Sequence, residues 1–493
     1  MLKVDPISPG KKILFSPSYF YRRDIKQWRD RRPYPPYGTL VAAAWMRQNG
    51  YEVALFDSHL RQDPGEIFNI LSVEKPGYLV IWDDGFNYLT KMCLTNMRDA
   101  AFELIAFGKQ ANCKIIVCNS DAVDHAGLYL SKGADYVIIG EGEQTLLELV
   151  QSLEAGKGDP SHVQGLAFER NEKIIKTMPR PVLRDLDSLP DPAWDLVDPE
   201  PYRRIWNSSR GYFSLNIATT RGCPFKCNWC AKPIYGNRYN SRSPQRVVNE
   251  MKYLEETFEL GHIWVADDIF GLNPKWVNQF REEVKKQNLH TRYKIQSRAD
   301  LLLQEQYLEA LVESGVDEVW IGAESGAQKI LDAMDKGTTV EQIRQATRLL
   351  HAKGVRVGLF LQFGYPGEGI PEIKATLKLL LELMPDDLGL SVSYPLPGTV
   401  FYDRVKDQLR SKKNWTDSDD LAMMYQGAFS PAFYRLLHRY VHKLFRLKQG
   451  WQNLRALFKA GEQPRGNQVR SMLAIPYYLV AMIPDRIRLR TLS

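Results

Sequence analysis

Apolar runs of four to eight residues, separated by stretches of helical character, recur along the first third of the chain: KILFSPS, YEVALFDS, PGYLVIWDD, NCKIIVCNS and DYVIIGEGE. They show little alternation of apolar and polar positions, the pattern of strands buried on both faces of a parallel sheet. Intervening segments such as GTLVAAAWMRQNG read as crossover helices, which predicts a doubly wound α/β domain. In such sheets ligands sit outside the carboxyl ends of the strands. Here those ends open into loops near Ser16, Asp57, Asp83, Asn119 and Gly140.

A proline-rich stretch, MPRPVLRDLDSLPDPAWDLVDPEPY, breaks the pattern and predicts an extended linker. From Ser214 a second series begins: SLNIATT, HIWVADD, RYKIQSR, EVWIGAES, VRVGLFLQFG and LGLSVSYP, with helical segments near 246–258, 274–287, 304–314, 340–353 and 370–384. Six strand-helix steps predict a partial parallel barrel. Polar residues stand where its apolar runs stop, at Asp267, Asp268, Arg298, Glu324, Ser325 and Gly364, the face on which parallel barrels assemble chemistry. The expected organisation is a doubly wound domain over 1–160, a linker over 161–208, a barrel over 209–400 and a helical region over 401–493.

A chain of 493 residues with 44 % hydrophobic and 25 % charged composition reads as several folded units, not as disorder. The N-terminal MLKVDPISPGKKILF has no uninterrupted apolar region, and the late run Met472 to Ile483 is shorter than the ~20 residues that span a bilayer. These features predict a cytoplasmic protein. The net charge of +7 is uneven: from residue 431 onward twelve basic residues face two acidic ones, a net of +10, so the preceding part nets −3. PAFYRLLHRYVHKLFRLK reads as a basic amphipathic helix. Packing on the barrel, lying on an anionic membrane and binding nucleic acid are its three candidate uses. The later MLAIPYYLVAMIPDRIRLR favours the membrane over nucleic acid, for which there is neither a recognised motif nor a run of stacking aromatics.

The chemistry concentrates in TTRGCPFKCNWCAK, where Cys223, Cys227 and Cys230 follow a C-x3-C-x2-C spacing just past the first barrel strand. Three thiolates on one loop can each ligate one iron of a [4Fe-4S] cubane and leave the fourth iron open. A zinc site would need a fourth ligand. His262 is available in composition but begins its strand, at the end opposite the loop. Cys93, Cys113 and Cys118 sit among apolar neighbours and read as core packing.

This motif, followed in order by RSPQRVVNEM, WVADDIF, SRADLL, IGAESG, FGYPGE and YPLPGT, resembles the radical S-adenosylmethionine (SAM) superfamily over about residues 210–400. The resemblance implies a [4Fe-4S] cluster on the three cysteines and SAM chelated to the open iron. Carried onto this chain, it places Trp229 near the adenine and Tyr235 with Gly236 near the methionine amino group. Glu324 and Ser325 fall near the ribose, and Gly364, Pro366 and Gly367 form the turn beside the adenine. Arg298 would reach a carboxylate as a bidentate donor, and Asp267 and Asp268 would either shape the pocket or cap a helix. Glu324 and Arg298 could equally form an ion pair at the barrel mouth.

A doubly wound domain ahead of such a barrel resembles the cobalamin-binding class of the superfamily. That would put a corrinoid against Asn119, Ser120, Gly140, Glu141 and Gly142. Two departures are visible: CNSDAVDH stands where a double glycine is usual, and DSHLRQ lacks the glycine of the axial-histidine motif. His59 is therefore expected to be solvated or helix-capping and not a cobalt ligand. The layout is similar to the anaerobic magnesium-protoporphyrin IX monomethyl ester cyclase-like branch. It implies C-methylation or another remodelling of an unactivated carbon in a lipid-like or tetrapyrrole-like small molecule, with an external electron donor such as flavodoxin or ferredoxin. The alternatives are an oxidative cyclase without net methyl transfer and an iron-sulfur protein that binds or senses without making a radical.

Overall fold

A computed structural model describes residues 12–84, 94–156, 159–409, 412, 414–460 and 466–492; Cys93 lies outside them. Five apolar runs of the first series form parallel strands β1 (Lys12–Ser16), β2 (Glu52–Leu55), β3 (Tyr78–Trp82), β4 (Lys114–Cys118) and β5 (Tyr136–Ile138). Their order is β2-β1-β3-β4-β5, with helices on both faces. The central β3 is buried at all five positions, which is why its sequence shows no alternation. Cys113 and Cys118 are buried, unpaired thiols in this domain, as the sequence pattern predicts.

The stretch expected to be an extended linker is built into the fold instead. Strands β6 (Leu166–Arg170) and β7 (Lys173–Lys176) extend the first sheet, β6 antiparallel to β5 and β7 antiparallel to β6. The proline-rich run then packs Leu189, Trp194 and Val197 into the same core as the barrel. The helix Glu200–Arg210 adds buried Tyr202 and Trp206. Prolines stop regular structure here, but apolar side chains between them still gain by leaving water.

The second series forms a six-stranded parallel sheet in the order β15-β14-β13-β12-β11-β8. Its strands are β8 (Ser214–Ile217), β11 (His262–Val265), β12 (Arg292–Ser297), β13 (Val316–Glu324), β14 (Arg356–Phe363) and β15 (Asp387–Val392). Two short strands, β9 (Thr220–Arg221) and β10 (Asn240–Ser241), pair antiparallel just beyond β8 and close the neck of the cysteine loop. The helix Pro431–Ala460 seats Phe433, Leu437, Val441 and Phe445 in the barrel core. The basic amphipathic segment is thus first a packing element.

The first domain and the barrel are joined by buried polar contacts. Arg221 donates to Glu141 and, at 2.6 and 3.1 Å, to Glu143; all three side chains are nearly inaccessible. Tyr37 donates to Glu250 at 3.2 Å, and Tyr202 to Asp57 at 2.7 Å. The C-terminal region adds a third seam, where the backbone N–H of Thr95 and of Asn96 donate to the carbonyls of Trp415 and Thr416 and Ser418 donates to Asp24.

Removing one member of a buried ion cluster strands the others without water or a partner, at a cost of about 3–5 kcal/mol, whereas removing all members together is nearly neutral. Arg221→Met should therefore lower unfolding stability in urea by about that amount. Combining it with Glu141→Gln and Glu143→Gln should recover most of the loss; equal losses in the single and triple variants would contradict the ion-cluster account.

Candidate functional site

The cysteine loop leaves the barrel between β9 and β10 and is held in place at five points. At its base, buried Asp267 accepts from the backbone N–H of Thr219 at 2.7 Å and of Thr220 at 3.1 Å, and from the Thr219 hydroxyl. Burial pushes this carboxyl up to about 6 while those donors oppose the rise. Of the two readings open for the Asp267–Asp268 pair, Asp267 thus takes a third role, fastening one strand end to the next. Asp268 is exposed and lies near enough to Cys223 to raise its thiol, a smaller cause than burial.

Arg221, two residues before the first cysteine, carries the clamp to Glu141 and Glu143, and its guanidinium stands 5.3 Å from the ring centre of Tyr235 across the loop. Next, Gly222 adopts φ +81° with the Arg238 carbonyl so close that any Cβ would collide with it. Glycine is the residue that can take this backbone and leave this space.

Within the motif, buried Asn228 is the anchor. Its amide donates to the Ala333 carbonyl and to Asp335, each at 2.8 Å, its side-chain oxygen accepts from Tyr365 at 2.6 Å, and its backbone bonds Met334 and Phe401. Finally, Arg298 lies 3.7 Å from the ring centre of Phe225. It donates to Asp300 at 3.0 Å and to the carbonyls of Lys336 at 3.0 Å and Gly337 at 3.3 Å. Its fork braces the chain beside the loop, where the expectation was a reach to a bound carboxylate.

Nor does Arg298 pair with Glu324. The partner is Lys336, whose ammonium donates to Glu324 at 2.8 Å in a buried pair. Burial opposes charge on Lys336, but Glu324 and Cys227 outweigh it and hold its pKa above the ordinary lysine value. Glu324 itself takes φ +57° at the end of β13, an unfavourable left-handed backbone for a residue with a Cβ. Lys336 is a site residue that the sequence reading missed.

Other expected residues take different positions. Ser325 is fully buried and shares a hydrogen bond of 3.1 Å with Thr376 on the outer helix Ile370–Leu383, so its hydroxyl is directed away from the cysteine loop. Gly364 is covered by Met423 and Tyr434, and its carbonyl accepts from Tyr425. The turn expected beside an adenine is thus roofed by the C-terminal region. Gly236 (φ +62°) is half-buried in the turn after Tyr235.

In the first domain, Asn119 caps the helix Ser120–Ser131 and donates to Asp83 at 2.9 Å, while Asp83 also accepts from Ser18. Ser120 lines the small cavity that remains there, of 10 Å3. Gly140 (φ +86°) faces the Ile234 carbonyl of the cysteine loop, and Glu141 is spent on Arg221 and the Leu183 backbone. Gly142 is required by packing, since a Cβ would strike Trp82 and Cys118. His59 is buried and not solvated as expected: Nδ1 bonds the Tyr34 carbonyl at 2.7 Å and the ring packs edge-on against Tyr19 and Tyr21.

The donor set fits a cluster. Cys223 is buried, Cys227 and Cys230 are half-buried, and none of the three is in a disulfide on this braced loop. A zinc site would need a fourth ligand beside the three thiols. His262 instead shares a 2.8 Å hydrogen bond with Ser214 at the far end of the barrel. Beside Cys230, the buried indole N–H of Trp229 has no acceptor among the described residues, which leaves a donor for a bound molecule.

Residues 217–380 match the model of the Radical SAM superfamily. The chain is 30 % identical over 284 residues to an uncharacterized methyltransferase of Pyrococcus horikoshii, covering 57 % of this chain and 60 % of the relative. It is also 30 % identical over 279 residues to an anaerobic magnesium-protoporphyrin IX monomethyl ester cyclase of Rubrivivax gelatinosus, covering 56 % and 50 %. The chain therefore spans about half the length of the curated relatives it matches. Its fold is that of the cobalamin-dependent SAM radical enzyme OxsB, solved with aqua-cobalamin bound, at a TM-score of 0.73 and 16 % identity, covering 97 % of this chain and 72 % of that one.

Asn228→Ala would remove the bonds to Ala333, Asp335 and Tyr365 together, each a net loss of about 0.5–1.5 kcal/mol. The expected result is a folded protein that assembles substantially less iron and sulfide on reconstitution. Full iron and sulfide content in this variant would contradict the anchoring role.

Proposed function

We propose that this chain, whose residues 217–380 form a radical SAM domain, is a cobalamin-dependent radical SAM enzyme that methylates or otherwise remodels an unactivated carbon of a small molecule. The observation that carries the reading is the pre-braced loop of three cysteines, none in a disulfide, at the strand-end mouth of a parallel half-barrel. When bound, a [4Fe-4S] cluster would pass one electron from an external flavodoxin- or ferredoxin-type donor into SAM, yielding methionine and a 5′-deoxyadenosyl radical, and a corrinoid would relay a methyl group from a second SAM.

In this reading Cys223, Cys227 and Cys230 hold the cluster. Trp229 offers its indole N–H to the nucleoside, and the Glu324–Lys336 pair presents fixed charge to it. Asp268 is an exposed acidic group that acts on Cys223. Arg298 positions the loop through Phe225. A corrinoid is supported by the first domain's placement: its strand-end loop at Gly140–Glu143 abuts the cysteine loop, so a flat cofactor on that edge would stand beside the cluster. At the notch of the same sheet edge, Asn119 and Asp83 are joined by a hydrogen bond of 2.9 Å. The cyclase relative favours a tetrapyrrole-like substrate and keeps oxidative cyclisation without net methyl transfer as the second reading.

Protein reconstituted anaerobically and purified with hydroxocobalamin should show both cluster and corrinoid absorption and release 5′-deoxyadenosine from SAM under reduction. Cys227→Ala should lose the cluster and the nucleoside while keeping the corrinoid. Nucleoside release by Cys227→Ala would refute the ligand assignment, and a corrinoid-free wild-type protein would refute the cobalamin assignment.

Among the described residues no helix is long and apolar enough to cross a membrane. The helix Ile475–Leu492 nevertheless exposes Tyr477, Leu479, Val480, Ile483 and Ile487 next to three arginines. This combination supports peripheral contact with an anionic bilayer. The protein should co-sediment with vesicles containing phosphatidylglycerol but not with pure phosphatidylcholine, and Leu479→Glu with Val480→Glu should reduce binding at least fivefold. Unchanged sedimentation of that variant would rule the contact out.

A further inference from the structure

A cavity of 690 Å3 lies inside the half-barrel, enclosed by mid-strand residues of β11 to β15, by residues 26–34 of the first domain and by the helix Pro431–Ala460. Its apolar walls combine the aromatics Tyr34, Trp264, Trp320 and Phe360 with Leu388 and Leu390. Its charge is lopsided. The lining acids Asp30 and Asp387 are engaged by Arg32 and Arg210, with Asp30 at 3.2 and 2.9 Å from them and Asp387 at 3.7 Å from Arg32. Lys26, Arg29, Lys294 and Arg446 also line the cavity, and none of the four has an acidic partner among the described residues.

Lys294 is the telling group. Its ammonium projects from the middle of β12, 5.0 Å from the ring centre of Trp264 and 5.5 Å from that of Tyr34, with no hydrogen bond or ion pair among the described residues. Burial lowers its pKa to about 8, so it is still largely charged at neutral pH. On β8, separated from Lys294 by Trp264 on β11, the fully buried Asn216 bonds neither its amide oxygen nor its nitrogen, but it does not line the cavity. His442, pushed down to about 4 by burial and by nearby cations, adds no charge. Glu318, in register with Lys294 on β13, tempers its charge but is itself held by Arg356 at 2.8 Å; a cation left without a bonded partner inside a barrel costs stability, and an anionic ligand would supply one.

We propose that this cavity is the substrate chamber and that its occupant is a molecule with a flat aromatic or conjugated body bearing a carboxylate or phosphate, the anion held by Lys294 and the neighbouring cations. This deepens the enzymatic reading above and rests on it. Gln296 of the lining stands two residues below Arg298, and Trp320 four below Glu324. At ~3.3 Å per strand residue the chamber lies roughly 7–13 Å beneath the strand-end face. A body extending upward from an anion at Lys294 would bring a carbon toward the cysteine loop.

The test is calorimetric titration of the cluster-reconstituted protein with 1-naphthoate, 1-naphthyl phosphate and the neutral 1-naphthalenemethanol. At least one anion should bind tenfold or more tightly than the neutral compound, and the tighter of the two identifies the headgroup class. Lys294→Met should erase that preference, Lys294→Arg should retain it, and Lys294→Met should melt no lower than the parent because it removes an unpaired buried charge. Equal binding of the neutral compound, or an anion preference that survives Lys294→Met, overturns the proposal. Cluster absorbance in the same samples reports on the enzymatic reading separately: a protein that assembles no cluster contradicts that reading and still allows the titration to be read.

Discussion

The buried cluster of Arg221 with Glu141 and Glu143 is the contact on which the arrangement turns. It joins the loop after β5 of the first domain to the residue two positions before Cys223. Three charged groups out of water are tolerable only when each meets another at hydrogen-bond distance. The cluster therefore acts as a register pin: the first domain cannot slide on the barrel without exposing an unpaired charge to a low-dielectric interior. The geometry places the first domain's strand-end edge beside the cysteine loop and nowhere else.

Around that pin the barrel mouth is rigid before anything binds. Asp267 ties β11 to the segment after β8, Asn228 ties the centre of the motif to the turn at Ala333–Asp335, and Arg298 braces Phe225. The chain thereby bears the ordering cost of the loop during folding, and a cofactor would meet thiols already placed, which is the physical content of preorganisation. Below this mouth the interior changes character, from paired and satisfied groups to the cation-rich aromatic chamber around Lys294. The upper layer suits fixed cofactor chemistry, and the lower one suits a ligand that brings its own negative charge.

The strands were legible because parallel strands buried on both faces read as short apolar runs, and all five runs of the first series and six of the second became strands. The cysteines were legible because their spacing is local. Asn228, Lys336 and Arg221 were not, since each acts through a partner remote in sequence: Tyr365, Glu324 and Glu141. Nothing in a local pattern announces such pairs. Proline content misled in the stretch before β8, where Trp194, Tyr202 and Trp206 are core residues. His59 misled in the opposite sense, because a polar side chain in a loop was expected in water, whereas a carbonyl acceptor and two tyrosine rings let it be buried.

Three cysteines would leave one cluster iron open for SAM. Electron paramagnetic resonance of the dithionite-reduced, reconstituted protein tests this directly, with and without SAM. Direct coordination predicts that SAM changes the g-values of the reduced [4Fe-4S] signal. A spectrum identical in the presence and absence of saturating SAM would contradict it.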